Sequence, residues 1–373
     1  MRTVLRLPAA AAVAVLVVLL AVLVPPAGGA PDRQGMEQLL VIGHRGASGH
    51  RPEHTLASYE LAARMGADSI ECDVVSTSDG VLVCRHENEI SGTTDVADHP
   101  EFADRYTTRT VDGVELSGWF TEHFTLAELR TLRAVERLPG VRQENTLYDG
   151  LFAVPTLAEY LELREELSGE LDREVGAYIE TKHPTYSDSL GLSLEEPLVA
   201  DLRAAGLADE GDPVFLQSFE TTNLRELDAE VDVPLVQLLS ATGAPADLVA
   251  AGDPRTYADL STAAGLAGIA EYADGVGPAK EQVIPPAADG TPAEPTSLVA
   301  DAHAAGLLVH PYTFRNENSF LPDELDRGTD PAAYGDALGE QLRFWAAGVD
   351  GLFTDQPDTG VLTRDLFLED AAG

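Results

Sequence analysis

Two carboxylates two residues apart, Glu71 and Asp73 in Ser69-Ile70-Glu71-Cys72-Asp73-Val74-Val75, share one face of any strand that holds them. Their neighbours Ile70, Val74 and Val75 argue for burial, where two carboxylates without a counter-charge are costly. A second such pair, Glu180 and Lys182, ends the apolar run Val175-Gly176-Ala177-Tyr178-Ile179. The chain has only two lysines, Lys182 and Lys280, so a generic surface charge is a weak explanation for Lys182. Glu71, Asp73 and Glu180 gathered at one site repel one another and stay partly protonated unless a cation neutralises them. An all-oxygen donor set without thiols or paired histidines suits a hard divalent ion, Ca2+ or Mg2+, and argues against zinc.

Two histidines supply groups that can move protons. His44 follows the run 39–43 and precedes Arg45, whose guanidinium suits bidentate phosphate contact, and glycines that let backbone approach a ligand. His86 ends Val81-Leu82-Val83-Cys84-Arg85-His86, which follows the turn signal Ser76-Thr77-Ser78-Asp79-Gly80 and so reads as the return arm of a hairpin from the Glu71/Asp73 strand. A turn centred on Ser78 and Asp79 sets His86 opposite Glu71 and Cys84 opposite Asp73. A slip of one residue instead pairs Cys72 with Cys84 on the face away from the acids, where a disulfide can form. These are the only cysteines, and an oxidising compartment permits a bridge without requiring one.

The elements that must position these groups form a repeating pattern. Eight β-rich runs, at 39–43, 69–76, 175–181, 213–218, 234–240, 273–277, 307–312 and 348–354, alternate with amphipathic stretches such as 55–65, 190–205, 297–305 and 334–347. Eight strand-helix units predict a (β/α)8 barrel, whose chemistry sits at the C-terminal ends of its strands. Residues 88–153 break the pattern, with one clear helix near 126–133, and read as an inserted subdomain. The Pro- and Ala-rich run 284–295 reads as a surface loop.

The 373 residues carry 63 acidic and 24 basic side chains, a balance of −39. A surface this acidic repels phosphate backbones and anionic lipid headgroups, so neither nucleic acid nor a stable membrane partner is expected. An anionic substrate therefore needs a locally positive site. Residues 1–30 read as an export leader: Arg2 and Arg6, sixteen apolar residues from Ala9 to Val24, then Pro25-Pro26 and small residues to Ala30. Cleavage near Ala30 leaves 22 basic against 63 acidic residues over 36–373 and its short approach, so the expected secreted or envelope-located protein is the acidic part.

Taken together, His44-Arg45-Gly46-Ala47-Ser48-Gly49, Pro52-Glu53-His54-Thr55-Leu56, Glu71-x-Asp73, His86, Glu180-x-Lys182, Val309-His310-Pro311-Tyr312 and Gly351-Leu352-Phe353-Thr354-Asp355 resemble glycerophosphodiester phosphodiesterases, specifically the exported bacterial type. The resemblance implies a TIM barrel of the phospholipase-C-like phosphodiesterase type, cleaving glycerophosphodiesters such as glycerophosphocholine to glycerol 3-phosphate and an alcohol. It implies His44 and His86 as acid and base, a divalent ion, usually calcium, on Glu71, Asp73 and Glu180, and Arg45 and Lys182 near the phosphate. Gln217 and Tyr312 are further candidates for substrate contact. The insertion after the second histidine is a family feature; Glu87 stands where many members carry Asp, and the cysteines lie outside the motif. Two histidines titrating near neutrality can exchange acid and base roles. The substrate's own glycerol hydroxyl is a ready nucleophile, with water opening the resulting cyclic phosphate. A phospholipase D-type enzyme would share the histidines and acids, and a non-catalytic calcium-binding surface protein would need a damaged catalytic set, which this chain does not have.

Overall fold

Eight short apolar runs become eight parallel strands around one axis in the computed structural model, which describes residues 39–286 and 293–372. The expected leader, and residues 287–292 of the expected surface loop, lie outside the described residues. The barrel strands are β1 (Leu40–Gly43), β2 (Ser69–Ser76), β6 (Gly176–Thr181), β7 (Val214–Ser218), β8 (Leu235–Leu239), β9 (Gly275–Pro278), β10 (Leu308–Val309) and β11 (Gly351–Thr354). They are ordered β10-β9-β8-β7-β6-β2-β1-β11. The seam between β10 and β11 is spanned by Asp350 N to Val309 O (3.0 Å), Phe353 N to Pro311 O (3.1 Å) and Phe314 N to Phe353 O (2.8 Å). This is the α/β barrel expected from the sequence. The two strands that fall furthest short of expectation do so for local reasons: Pro311 removes a donor after β10, and Gly348, at φ +89°, closes the helix Ala337–Ala346 before β11 can begin.

Side-chain alternation along β2 sorts the strand's chemistry. Ile70, Cys72 and Val74 point outward into the core shared with the helices Leu56–Arg64 and Leu157–Leu171, so Glu71 and Asp73 point into the barrel. Below the mouth the interior is filled by Ile42, Tyr178, Val236 and Phe353, with Tyr178 stacked on Phe215 at 5.0 Å. The helix Leu157–Leu171 was not among the expected helices, although Thr156 and Glu159 form a capping box at its start. The expected helix over 190–205 starts later, as Glu195–Ala205, and a separate short helix, Pro184–Ser189, precedes the expected range.

The hairpin after β2 differs from expectation. The return strand β3 (Leu82–Cys84) pairs Val74 with Cys84 and Ser76 with Leu82, so the turn is centred on Asp79 and neither expected register is formed. The cause is Gly80: with φ +78° it supplies the left-handed residue of a three-residue loop closed by Thr77 N to Val81 O at 3.0 Å. Cys84 then lies diagonal to Cys72 across the strands, and the two form a disulfide with their Cα atoms 5.7 Å apart. Closing a loop of separation 12 restricts the unfolded chain, which is worth about 3 kcal/mol on the chain-entropy account. Reduction, or a Cys72→Ala/Cys84→Ala double variant, should lower the thermal midpoint by several degrees. A midpoint that does not move in differential scanning calorimetry would show the bridge to be idle.

Residues 85–153 leave the barrel at β3 and return just before the helix Leu157–Leu171. They consist of short helical turns, one turn of α-helix at Leu126–Leu129, and a hairpin, β4 (Thr107–Val111) and β5 (Val114–Gly118). Val83, Ile90, Val96, Phe102, Phe124 and Leu132 give this stretch a small core of its own, anchored to the barrel through Val75. The hairpin is absent from the sequence expectation because its strands are mostly exposed and lack apolar alternation; only Asp112-Gly113 marks its turn.

Candidate active site

The C-terminal ends of β1, β2, β6, β7 and β11 bring the chemistry-bearing residues to one mouth. His44, Arg45, Glu71, His86, Glu180, Lys182, Gln217 and Tyr312 all line a cavity of about 560 Å³ there, and Asp73 lies buried beneath it. Nearest carboxylate oxygens of Glu71, Asp73 and Glu180 lie within 4.8 Å of one another.

The turn after β1 carries two contacts at once. Arg45 adopts left-handed backbone (φ 58°), which aims its N–H at Glu71 Oε2, 2.7 Å away. Gly46 follows at φ +86°, and a Cβ there would stand 2.5 Å from the backbone carbon of Ser58, so only glycine fits. The Arg45 guanidinium is gripped by Glu53 at 3.0 and 3.1 Å and lies 3.7 Å from Asp73 Oδ2, while its edge faces the cavity.

Electrostatically, the three acids behave as a cluster lacking a cation. Burial, then the neighbouring Asp73 charge, pushes Glu71 well above the carboxylate range, and burial pushes Glu180 up to about 8 despite Lys182 at 2.8 Å. Burial also works against Asp73, but His54, donating at 2.9 Å, and Lys182 outweigh it and hold Asp73 low. Asp73 Oδ1 remains buried without a hydrogen-bond partner. An orphaned oxygen aimed into a set of carboxylates fits a hard divalent ion, which would hold them all ionised.

Each histidine spends Nδ1 on a carboxylate and keeps Nε2 clear of one. His44 Nδ1 lies 2.5 Å from Asp355 at the end of β11, and Asp355 is clamped by Arg142 (2.5 Å) and Arg315 (2.7 Å). Burial opposes the Asp355 charge, but Arg315, Arg142 and His44 hold its pKa well below the usual range. His86 Nδ1 lies 2.8 Å from Glu87, and its Nε2 lies 3.3 Å from Lys182 Nζ. Neither imidazole titrates near neutrality, contrary to the sequence expectation: burial and Arg45 lower His44 to about 4, and burial, Arg45 and Lys182 lower His86 to about 3. Burial is the larger cause at both rings, and the cations that make the mouth attractive to an anion add to it, Arg45 at His44 and Arg45 with Lys182 at His86.

Two expected substrate contacts prove to be partly engaged by the protein. Gln217 lines the cavity but donates to Glu71 Oε1 at 3.2 Å, so it also steadies the acid cluster. The Tyr312 hydroxyl donates to Leu239 O at 3.1 Å, leaving its ring to the cavity. His310 lies in the barrel interior with Nδ1 3.0 Å from the Tyr178 hydroxyl, away from the cavity lining. Sequence reasoning did not single out Asp355, Arg142, Arg315 or His183. Asp355 was findable as a carboxylate at a strand's C-terminal end; Arg142 carries no such signal.

A comparison with protein families matches residues 44–359 to the glycerophosphoryl diester phosphodiesterase family. The chain is 38% identical over 328 residues to a glycerophosphodiester phosphodiesterase of Arabidopsis thaliana, covering 84% of this chain and 82% of that one. It is 30% identical over 348 residues to one of Haemophilus influenzae, covering 86% and 88%. Its fold matches a solved chain from Silicibacter pomeroyi with a TM-score of 0.60 at 23% identity, covering 89% and 94%. An Oleispira antarctica phosphodiesterase, in complex with the product sn-glycerol-3-phosphate, matches with a TM-score of 0.56 at 22% identity, covering 88% and 98%.

Proposed function

We infer, from the premise that this chain belongs to the glycerophosphoryl diester phosphodiesterase family, that its cavity hydrolyses deacylated phospholipids such as glycerophosphocholine to sn-glycerol 3-phosphate and an alcohol. The observation that carries this is one cavity lined by His44 and His86, by Arg45 and Lys182, and by Glu71 and Glu180, whose carboxylates cluster with the buried Asp73. Arg45 and Lys182 receive the phosphate anion and stabilise the charge that grows on its oxygens. A divalent ion on Glu71, Asp73 and Glu180, Ca2+ by preference, supplies Lewis-acid polarisation of the phosphate. The product bound by the Oleispira antarctica relative supports the glycerol 3-phosphate side of the assignment.

His44 Nε2 takes the proton of the substrate's glycerol hydroxyl, whose oxygen bonds to phosphorus as the bond to the alcohol breaks. His86 Nε2 protonates the departing oxygen, and a cyclic glycerol phosphate remains. Water then attacks phosphorus, giving its proton to His86, and the opening ring oxygen takes the proton held by His44. Atoms and charge balance over the two steps. The acid must carry a proton before the first step; burial is the main cause that keeps His86 low, and the arriving phosphate anion, set against Arg45 and Lys182, offsets the part those two charges add.

Export is supported by residues 1–30 and by the disulfide, since a bridge persists in oxidising compartments. Purified protein incubated with glycerophosphocholine and Ca2+ should release sn-glycerol 3-phosphate, read by a coupled dehydrogenase assay. Release of choline phosphate, or turnover of lysophosphatidylcholine with glycerophosphocholine untouched, would overturn the substrate assignment.

A further inference from the structure

Beyond the cavity, His86 is backed by a row of charged groups that the chemistry above does not use. Glu87 touches His86 Nδ1 through Oε1 at 2.8 Å and His183 Nε2 through Oε2 at 3.0 Å. His183 in turn donates from Nδ1 to Asp112 Oδ2 at 2.6 Å. Asp112 is the turn residue of the β4/β5 hairpin, in left-handed backbone at φ 48°, and is followed by Gly113 at φ 81°. His183 is also left-handed, at φ 52°, and stands immediately after Lys182 at the start of the helix Pro184–Ser189. One short loop thus sends Lys182 into the cavity and His183 behind it.

Alternating carboxylates and imidazoles make this row self-consistent. Burial opposes charge on His183, but the Asp112 and Glu87 carboxylates outweigh it and raise its pKa to about 9, so it is an imidazolium donating from both nitrogens at neutral pH. Glu87 is thereby fixed at one oxygen and presents the other to His86. A lone glutamate with a flexible side chain would hold the ring loosely; one pinned at its far oxygen holds it in a single orientation.

We propose that the tip of the insertion hairpin positions His86: Asp112, His183 and Glu87 form a hydrogen-bonded chain that fixes the ring with Nδ1 on Glu87 and Nε2 toward Lys182 and the cavity. This rests on the reading that His86 moves a proton in the reaction. Asp112, His183 and Glu87 are positioning residues, acting through His86.

The test uses the full-length protein with Ca2+ and glycerophosphocholine. In His183→Asn, asparagine tolerates left-handed backbone but is too short to bridge both carboxylates. It should lower kcat by about 10- to 100-fold and leave KM within about twofold. In a His86→Ala background the same change should alter kcat by less than about twofold, because its target is already gone. Asp112→Asn, which keeps the turn and an acceptor, should retain kcat within about threefold, whereas Asp112→Gly, which keeps only the turn, should approach the His183→Asn loss. An equal loss with and without His86, or an unchanged kcat in Asp112→Gly, overturns the proposal. The Asp112 pair decides it if His183→Asn fails to fold. His86→Ala with full turnover would instead refute the reading of His86 itself, and the positioning chain with it.

Discussion

Alanine at either histidine, His44→Ala or His86→Ala, should lower kcat by a factor of at least about 100 and leave the fold intact. The fold survives because each partner carboxylate keeps other partners: Asp355 retains Arg142 and Arg315, and Glu87 retains His183. The two losses do not multiply in the double variant, because an acid and a base serving one displacement act as a unit. A nitrophenyl ester of glycerol phosphate separates the roles, since nitrophenolate departs without needing a proton. It should restore turnover to His86→Ala and leave His44→Ala slow, as measured by initial rates at saturating substrate. Equal rescue of both variants, or of neither, refutes this division of labour while leaving the enzyme class untouched.

Chelation should abolish turnover, and Ca2+ added back should restore it. The protein should also gain about 2.7 kcal/mol of stability when free Ca2+ reaches 100 times its dissociation constant. Glu71→Gln separates stability from activity. In the ion-free protein the folded state raises the pKa of Glu71 because burial and Asp73 penalise its charge, so the penalty applies once the pH exceeds the unfolded value, and glutamine removes it. The ion-free thermal midpoint should therefore rise in Glu71→Gln at neutral pH, while turnover falls by at least about 100-fold and Ca2+ no longer stabilises. Full activity in excess chelator, or an undiminished Ca2+ shift in the variant, would sink the acid cluster as a metal site.

Most of the barrel was legible because each strand is a compact apolar run bounded by turn residues, and period-two alternation on β2 already separated Glu71 and Asp73 from Ile70, Cys72 and Val74. The hairpin register was not, because Gly80 makes the loop one residue longer than its turn letters suggest, shifting every cross-strand partner. Burial of the histidines was equally hidden: a sequence shows that lysine is rare, but not that Lys182 stands beside His86 or that Arg45 acts on both rings. Arg142 reaches Asp355 from 213 positions away, and the His183 to Glu87 contact spans 96, separations that no local pattern encodes.

The points at which the stretch between β3 and the helix Leu157–Leu171 meets the barrel chemistry include Arg142 on Asp355 and Asp112 on His183. Parts exchanged between relatives must respect both. A chimera that takes this stretch from another member imports its own residues at these positions and meets a host Asp355 and His183 shaped for different partners. The segment is keyed to its barrel, and recombination that replaces it should yield folded but slow enzymes until Asp112 and Arg142 are restored within it.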